Sequence, residues 1–182
     1  MNTHFQNHRA VRKNLLNILQ NTSHKDLLTI PDGFNNNIYW NIAHCVATQQ
    51  LLCYYLSGNP FRIDKYWVDT YKKGTLPNLD VSESEVEDLG FLLIETSKIL
   101  MKDYDDDFFP DYTAYSTSFG IDLKNIQDAI IFNNMHESLH FGYAMAQKRA
   151  LAGEQFSVKV KVKVKANVKA KFKSCSVRAK SL

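Results

Sequence analysis

His136-Glu137-Ser138-Leu139-His140 lies inside the long segment Leu123–Leu151. Two imidazoles four residues apart on a helix project from one face, a turn apart, and that spacing lets both bind one metal ion. The string also satisfies H-E-x-x-H, the zinc peptidase pattern in which the glutamate is the general base. Three readings therefore stand together: a zinc peptidase, another three-ligand metal site, and a helix that merely carries two histidines. On the same helix Asn133, His136, His140, Tyr143 and Gln147 form a polar stripe. It is flanked by Ile126, Ala129, Phe132, Leu139 and Ala146. A polar stripe edged by apolar residues suits a site between packed helices. This segment is read as the fourth helix, with Asp122 as its cap.

Upstream, three more helices are predicted. His4–Gln20 carries Phe5, Val11, Leu15, Leu16, Ile18 and Leu19 as an apolar stripe, with Arg9, Arg12 and Lys13 off it. His4, His8 and His24 sit near its ends and are expected in solvent. A second helix begins after Asn35-Asn36-Asn37 and stops at Gly58-Asn59-Pro60. It is apolar nearly all round and so buried. Trp40, His44, Thr48 and Leu51 share one of its faces. Cys45 and Cys53 are read as small core residues. The third helix opens on the capping box Ser82-Glu83-Ser84-Glu85 and runs to about Tyr104. Between the second and third, 61–81 is a long connector with a short helix, Asp64–Lys72, that packs over something. Asp103, Asp105 and Asp107 resemble the start of an EF-hand loop. Phe108 and Ala114 stand where that loop needs Gly and Glu, so the run is read as a solvated helix end. Phe109–Ile121 is expected to be extended.

Where a third metal ligand comes from separates the readings. The extended peptidase motif wants Gly at 143 and His at 146, and this chain has Tyr143 and Ala146. The only acid after His140 is Glu154, at the helix end, and a chain of helices lacks the sheet on which such peptidases lay substrate. His44 is the alternative. In an antiparallel bundle an inward residue midway along the second helix can meet inward residues of the fourth. Three neutral imidazoles with an open position form a catalytic metal arrangement. A core histidine held by a hydrogen bond is the blander reading of His44.

Trp40-Asn41-Ile42-Ala43-His44 with Thr48-Gln49-Gln50-Leu51-Leu52, and Ala129–Tyr143, resemble the DinB-like superfamily of bacterial four-helix bundles. Tyr71-Lys72-Lys73-Gly74-Thr75 and Tyr115–Gly120 resemble its Bacteroidetes-type branch. The resemblance covers residues 5–152. It implies an all-α four-helix bundle with a long connector between helices 2 and 3. It also implies a divalent metal, zinc or nickel, held by His44, His136 and His140. Imidazole suits both ions. The implied activity is transfer or hydrolysis on a small molecule, by Lewis-acid activation of water or of a low-molecular-weight thiol. Gln50, Asn133 and Tyr143 are then candidates to orient ligands or substrate from behind. Glu137 points about 100° away from His136 and is not among the implied ligands.

Charge divides the chain. It has 182 residues and a formal charge of +3. From Phe156 onward nine basic residues and no acid appear, which leaves 13 basic against 19 acidic residues before it, a net of −6. The expected organisation is a bundle over 1–155 and a basic tail over 156–182. In the tail, Val158–Lys173 alternates apolar residues with lysine. Period two is a strand signal, but sixteen residues at ~3.3 Å would span on the order of 50 Å, far beyond an ordinary strand. A mobile tail is expected instead. Binding of nucleic acid or an anionic surface through it is a competing function, and a non-catalytic metal-binding or stress-related bundle is another. Met1–Ala10 is polar, so no signal peptide is expected, and no stretch has the length of a membrane span. Three cysteines, an odd number, fit a reducing cytoplasm better than a disulfide framework. A homodimer through exposed helix faces is the remaining expectation.

Overall fold

The computed structural model describes the backbone of residues 1–178 and the side chains of residues 1–153. Six helices and one two-stranded hairpin follow in the order α1 (Asn2–Gln20), α2 (His24–Leu28), α3 (Ile38–Gln49), α4 (Lys65–Tyr71), α5 (Glu83–Asp105), β1 (Tyr115–Ser116), β2 (Asp122–Leu123) and α6 (Ile126–Arg178). The four long helices, α1, α3, α5 and α6, are the expected bundle. The chain divides into two compact units, the first Met1–Lys148 and the second beginning at Arg149. All the chemistry below lies in the first.

The caps follow from the sequence with one exception. Asn37 accepts from the Trp40 amide at 2.8 Å and opens α3. Ser82 and Glu85 form both halves of the box that opens α5. Asp122 does not cap α6. It pairs with Ser116 across the hairpin and accepts the Ser116 hydroxyl at 2.6 Å. The cap is Asn125, whose Oδ1 accepts from the Asp128 amide at 2.9 Å. The Thr117 amide closes the hairpin turn on the Ile121 carbonyl, and Gly120 takes the left-handed conformation there. The short α2, capped by Ser23, was not expected.

Every residue of α3 from Ile38 to Ala47 is buried, as a helix apolar nearly all round requires, and Asn41 and His44 are buried with it. Beyond Gln49 the helix widens to one π turn, Gln50–Tyr54, then tightens to a 3₁₀ turn, Tyr55–Ser57, and Gly58 ends it in the left-handed region. Tyr112 donates to the Leu52 carbonyl at 3.1 Å, and the Arg62 amide donates to Gln50 Oε1 at 2.8 Å. The connector packs inward: Trp67, Val68 and Tyr71 of α4 are buried.

Several expectations about polar residues are corrected. His8 and Arg12, read as solvent-facing, are 1 % and 0 % exposed. His24 is half-buried, with Nε2 at 2.8 Å from the Val81 carbonyl. Asp103 leaves the otherwise exposed acidic run. It is buried, accepting from Tyr54 at 2.9 Å and from Arg62 at 2.8 and 3.0 Å. In each case a polar partner distant in sequence meets the group, which sequence spacing does not reveal. The backbone of α6 runs on into the basic tail as far as Arg178.

Candidate metal centre

His44 comes from the middle of α3, and His136 and His140 from successive turns of α6. Their rings gather with centroids 5.1 Å apart for His44 and His136, 4.8 Å for His44 and His140, and 4.5 Å for His136 and His140. One ring nitrogen from each lies within 4.8 Å of the other two. The sequence reading that paired one histidine of the second helix with two of the fourth is what the fold brings together.

The hydrogen bonds behind the rings decide which nitrogen faces the centre. His44 Nδ1 lies 2.6 Å from the Tyr71 carbonyl, which can only accept, so Nδ1 carries the proton and Nε2 a lone pair. The Thr48 hydroxyl stands 3.2 Å from that Nε2. His140 Nδ1 lies 2.8 Å from Asn41 Oδ1. The orientation of the Asn41 amide is set by its Nδ2, which donates to the Asn37 carbonyl and to Gln147 Oε1, both at 2.9 Å. His140 therefore also carries its proton on Nδ1 and offers Nε2. His136 Nε2 faces His140 Nε2 at 3.2 Å, and its buried Nδ1 has no partner among the described residues. Trp40 stacks on His44 at 4.6 Å and 9°.

Burial, more than any neighbour, holds all three imidazoles neutral. It pushes His44 below its usual range against the opposing Tyr71 carbonyl. It takes His136 down to about 4, helped by His44, and His140 to about 3, helped by His136 and His44. Neutral imidazoles are what metal ligation needs. His44 and His140, with Nδ1 committed, turn Nε2 toward the centre, and His136 Nε2 faces them from the adjoining turn of α6. The donor set is that of a three-histidine divalent site, with nitrogen distances of about 2.0–2.1 Å expected for zinc. A metal therefore fits the residues present.

Glu137 is no part of this face. It is 0 % exposed and accepts from Arg12 Nε and Nη2, each at 2.7 Å, and from Asn133 Nδ2 at 2.8 Å; His8 Nε2 stands at 3.0 Å. Burial alone would raise its pKa, but the Arg12 and His8 charges hold it well below the usual carboxylate range. Both oxygens of this buried carboxylate are engaged by Arg12, His8 and Asn133, away from the histidine face, and the peptidase reading loses its base. Of the other expected residues, Gln50 turns to Arg62 and Asn133 to Glu137, while Tyr143 is exposed and packs edge-on to Phe34 at 5.2 Å. Among the described hydrogen bonds none of the three reaches a histidine. Asn41 and the Tyr71 carbonyl hold the rings instead. Asn41 had a legible signal, since it precedes His44 by three on a face otherwise apolar.

A cavity of about 420 Å³ opens on His44 and His136. Leu51, Leu52, Leu56, Phe119 and Phe132 supply its apolar walls, and Thr48, Tyr115, Thr117 and Ser118 its hydroxyls. Lys73 lines it and no carboxylate does. A larger groove of about 590 Å³, between α1 and α5, is lined by none of the three histidines.

Four long helices around an inward three-histidine cluster define a helical-bundle protein with a candidate metal centre between helices. A family model described as the DinB superfamily matches residues 7–144, and the chain belongs to that superfamily. No curated protein matches it. Among the described residues no helix is long and apolar enough to cross a membrane.

Proposed function

We propose that this chain is a metal-dependent enzyme in which His44, His136 and His140 hold a divalent ion, zinc or nickel, beside a pocket for a small molecule. The observation that carries this reading is the convergence of the three imidazoles, two with their Nδ1 committed to fixed oxygens, beside an apolar cavity of about 420 Å³ that His44 and His136 line. Bound there, the ion would supply Lewis-acid activation of a water or a low-molecular-weight thiol, for hydrolysis or thiol transfer.

The protein's own residues supply binding and orientation. The leucine and phenylalanine walls exclude water from an apolar substrate body, and cavities of this size hold small organic molecules. Lys73 sits on the turn that follows Tyr71. Its neighbour Lys72 is paired with Asp69 at 3.0 Å, and Lys73 has no ion pair among the described residues. A pocket lined by one cation and no anion favours a substrate that joins an apolar body to an acidic group. The Tyr71 carbonyl on His44 ties the same turn to the metal centre.

The test is metal content of untagged protein, wild type beside His44→Ala, followed by turnover of an electrophile with a free thiol or water. One metal per chain in the wild type, lost in the variant, with turnover only when metal is present, is expected. Metal retained in His44→Ala would place the third ligand elsewhere. No metal in either protein after incubation with zinc or nickel would end the enzyme reading.

A further inference from the structure

A second buried polar cluster stands behind the histidines and draws a group from each long helix. Arg12 of α1 forks on to Glu137 of α6 through two bonds of 2.7 Å. Its Nη1 reaches the Leu93 carbonyl at 3.3 Å and Thr96 Oγ1 at 3.2 Å on α5. Its Nη2 also reaches Gln49 Oε1 at 3.3 Å and the Cys45 carbonyl at 3.5 Å on α3. Ser97 of α5 stands 3.1 Å from His8 Nδ1, and the Gln49 amide donates to the Thr96 carbonyl at 3.1 Å.

Stability does not account for such a cluster. Buried ion pairs can often be replaced by apolar residues of like volume without loss, and their best-attested use is to fix register. What this one would fix is legible from the chain. Glu137 is next to His136 and about 100° around the helix from it. Cys45 is next to His44. One guanidinium thus touches the neighbour of a ligand on α3 and the neighbour of a ligand on α6. Leucine-on-leucine contacts leave a helix some freedom to roll, whereas a bidentate fork sets both distance and plane. A metal site needs its ligands held within about 0.5 Å and 10–20°.

We infer that Arg12 is a positioning residue of the metal centre: by gripping Glu137 and α3 together it sets the rotation of α6 that turns His136 and His140 toward His44. The inference rests on the metal-centre reading above. It assigns Glu137, the middle residue of the H-E-x-x-H string, a role in aiming its own helix.

The test uses the full chain and two variants. Arg12→Met/Glu137→Gln removes both charges together and keeps an acceptor for Asn133. Arg12→Lys keeps the charge and loses the fork. Asp103→Asn is the control, since it weakens a different ion pair, that of the buried Asp103 of α5 with the half-buried Arg62. Zinc affinity is read by competition with a chromophoric chelator, site geometry by the visible spectrum of the cobalt form, and fold by circular dichroism. Both Arg12 variants are expected to fold, to bind zinc about 10–100-fold more weakly, as loss of supporting contacts does elsewhere, and to show an altered cobalt spectrum. Asp103→Asn is expected to lose thermal stability with affinity and spectrum unchanged. Unchanged affinity in folded Arg12 variants would overturn the inference. So would failure of both to fold, which would make the cluster a folding requirement rather than an aiming device. Wild type that binds no zinc fails at an earlier step, and the metal-centre reading then falls first.

Discussion

Replacing Arg12 by Met leaves the Glu137 carboxylate in the centre of the bundle without its main counter-charge. Both side chains are 0 % exposed, and the pair is bidentate at 2.7 Å. Removing one partner of a buried pair typically costs about 3–5 kcal/mol. With a shift of about 2–4 °C per kcal/mol for a chain of this size, the midpoint should fall by about 6–20 °C. The pH dependence carries the sharper signature. In the wild type the Glu137 pKa lies below its ordinary 4.5. A depressed carboxyl adds stability that is complete above the unfolded value and is lost as pH falls below it. Between pH 7 and 5 it therefore contributes no slope. In Arg12→Met, burial dominates and the folded pKa moves above 4.5. The native state then binds a proton that the unfolded chain does not, and stability rises as pH falls toward 5. The assay is thermal unfolding at several pH values between 7 and 5 with chelator present, so that metal linkage does not enter. The difference between variant and wild type is read. Parallel curves, or a variant as stable as wild type at pH 7, would show that Glu137 is not held as a buried anion by Arg12.

Two further outcomes are expected. Asn41→Ala removes the acceptor that holds His140 Nδ1 and breaks the link to Gln147; metal affinity should fall about 10–100-fold with helix content kept, and equal affinity would mean His140 needs no such support. In metal-free protein the depressed imidazoles add stability that is complete above their ordinary 6.5. It is lost as pH falls through the folded values of about 4 for His136 and about 3 for His140, at about 1.4 kcal/mol per unit of depression. The unfolding midpoint should therefore decline from pH 6.5 toward 5, and a level midpoint would show these rings to be protonated or solvated in the native state.

Much of this molecule is local and so legible in one dimension. The capping box at Ser82, the Asn37 cap, the glycine stop at Gly58 and the mostly apolar run of α3 act within a turn or two of chain. The i, i+4 spacing of His136 and His140 places both on one face whatever the helix meets. Pairing them with His44 took the rule that inward residues of neighbouring helices meet, together with the resemblance of Trp40–His44 and Ala129–Tyr143 to the DinB-like superfamily. Tertiary structure alone decided the rest. His8 and Arg12 looked like surface residues until Glu137, more than a hundred residues away, supplied the charge that makes their burial tolerable. Asp122 looked like a cap until Ser116 paired with it. Asn41 and the Tyr71 carbonyl became supports of the histidine cluster only when α6 and α4 folded against α3. Periodicity reports which face of a helix is apolar; which buried polar groups find partners depends on helices packing together, and no spacing within one helix encodes that.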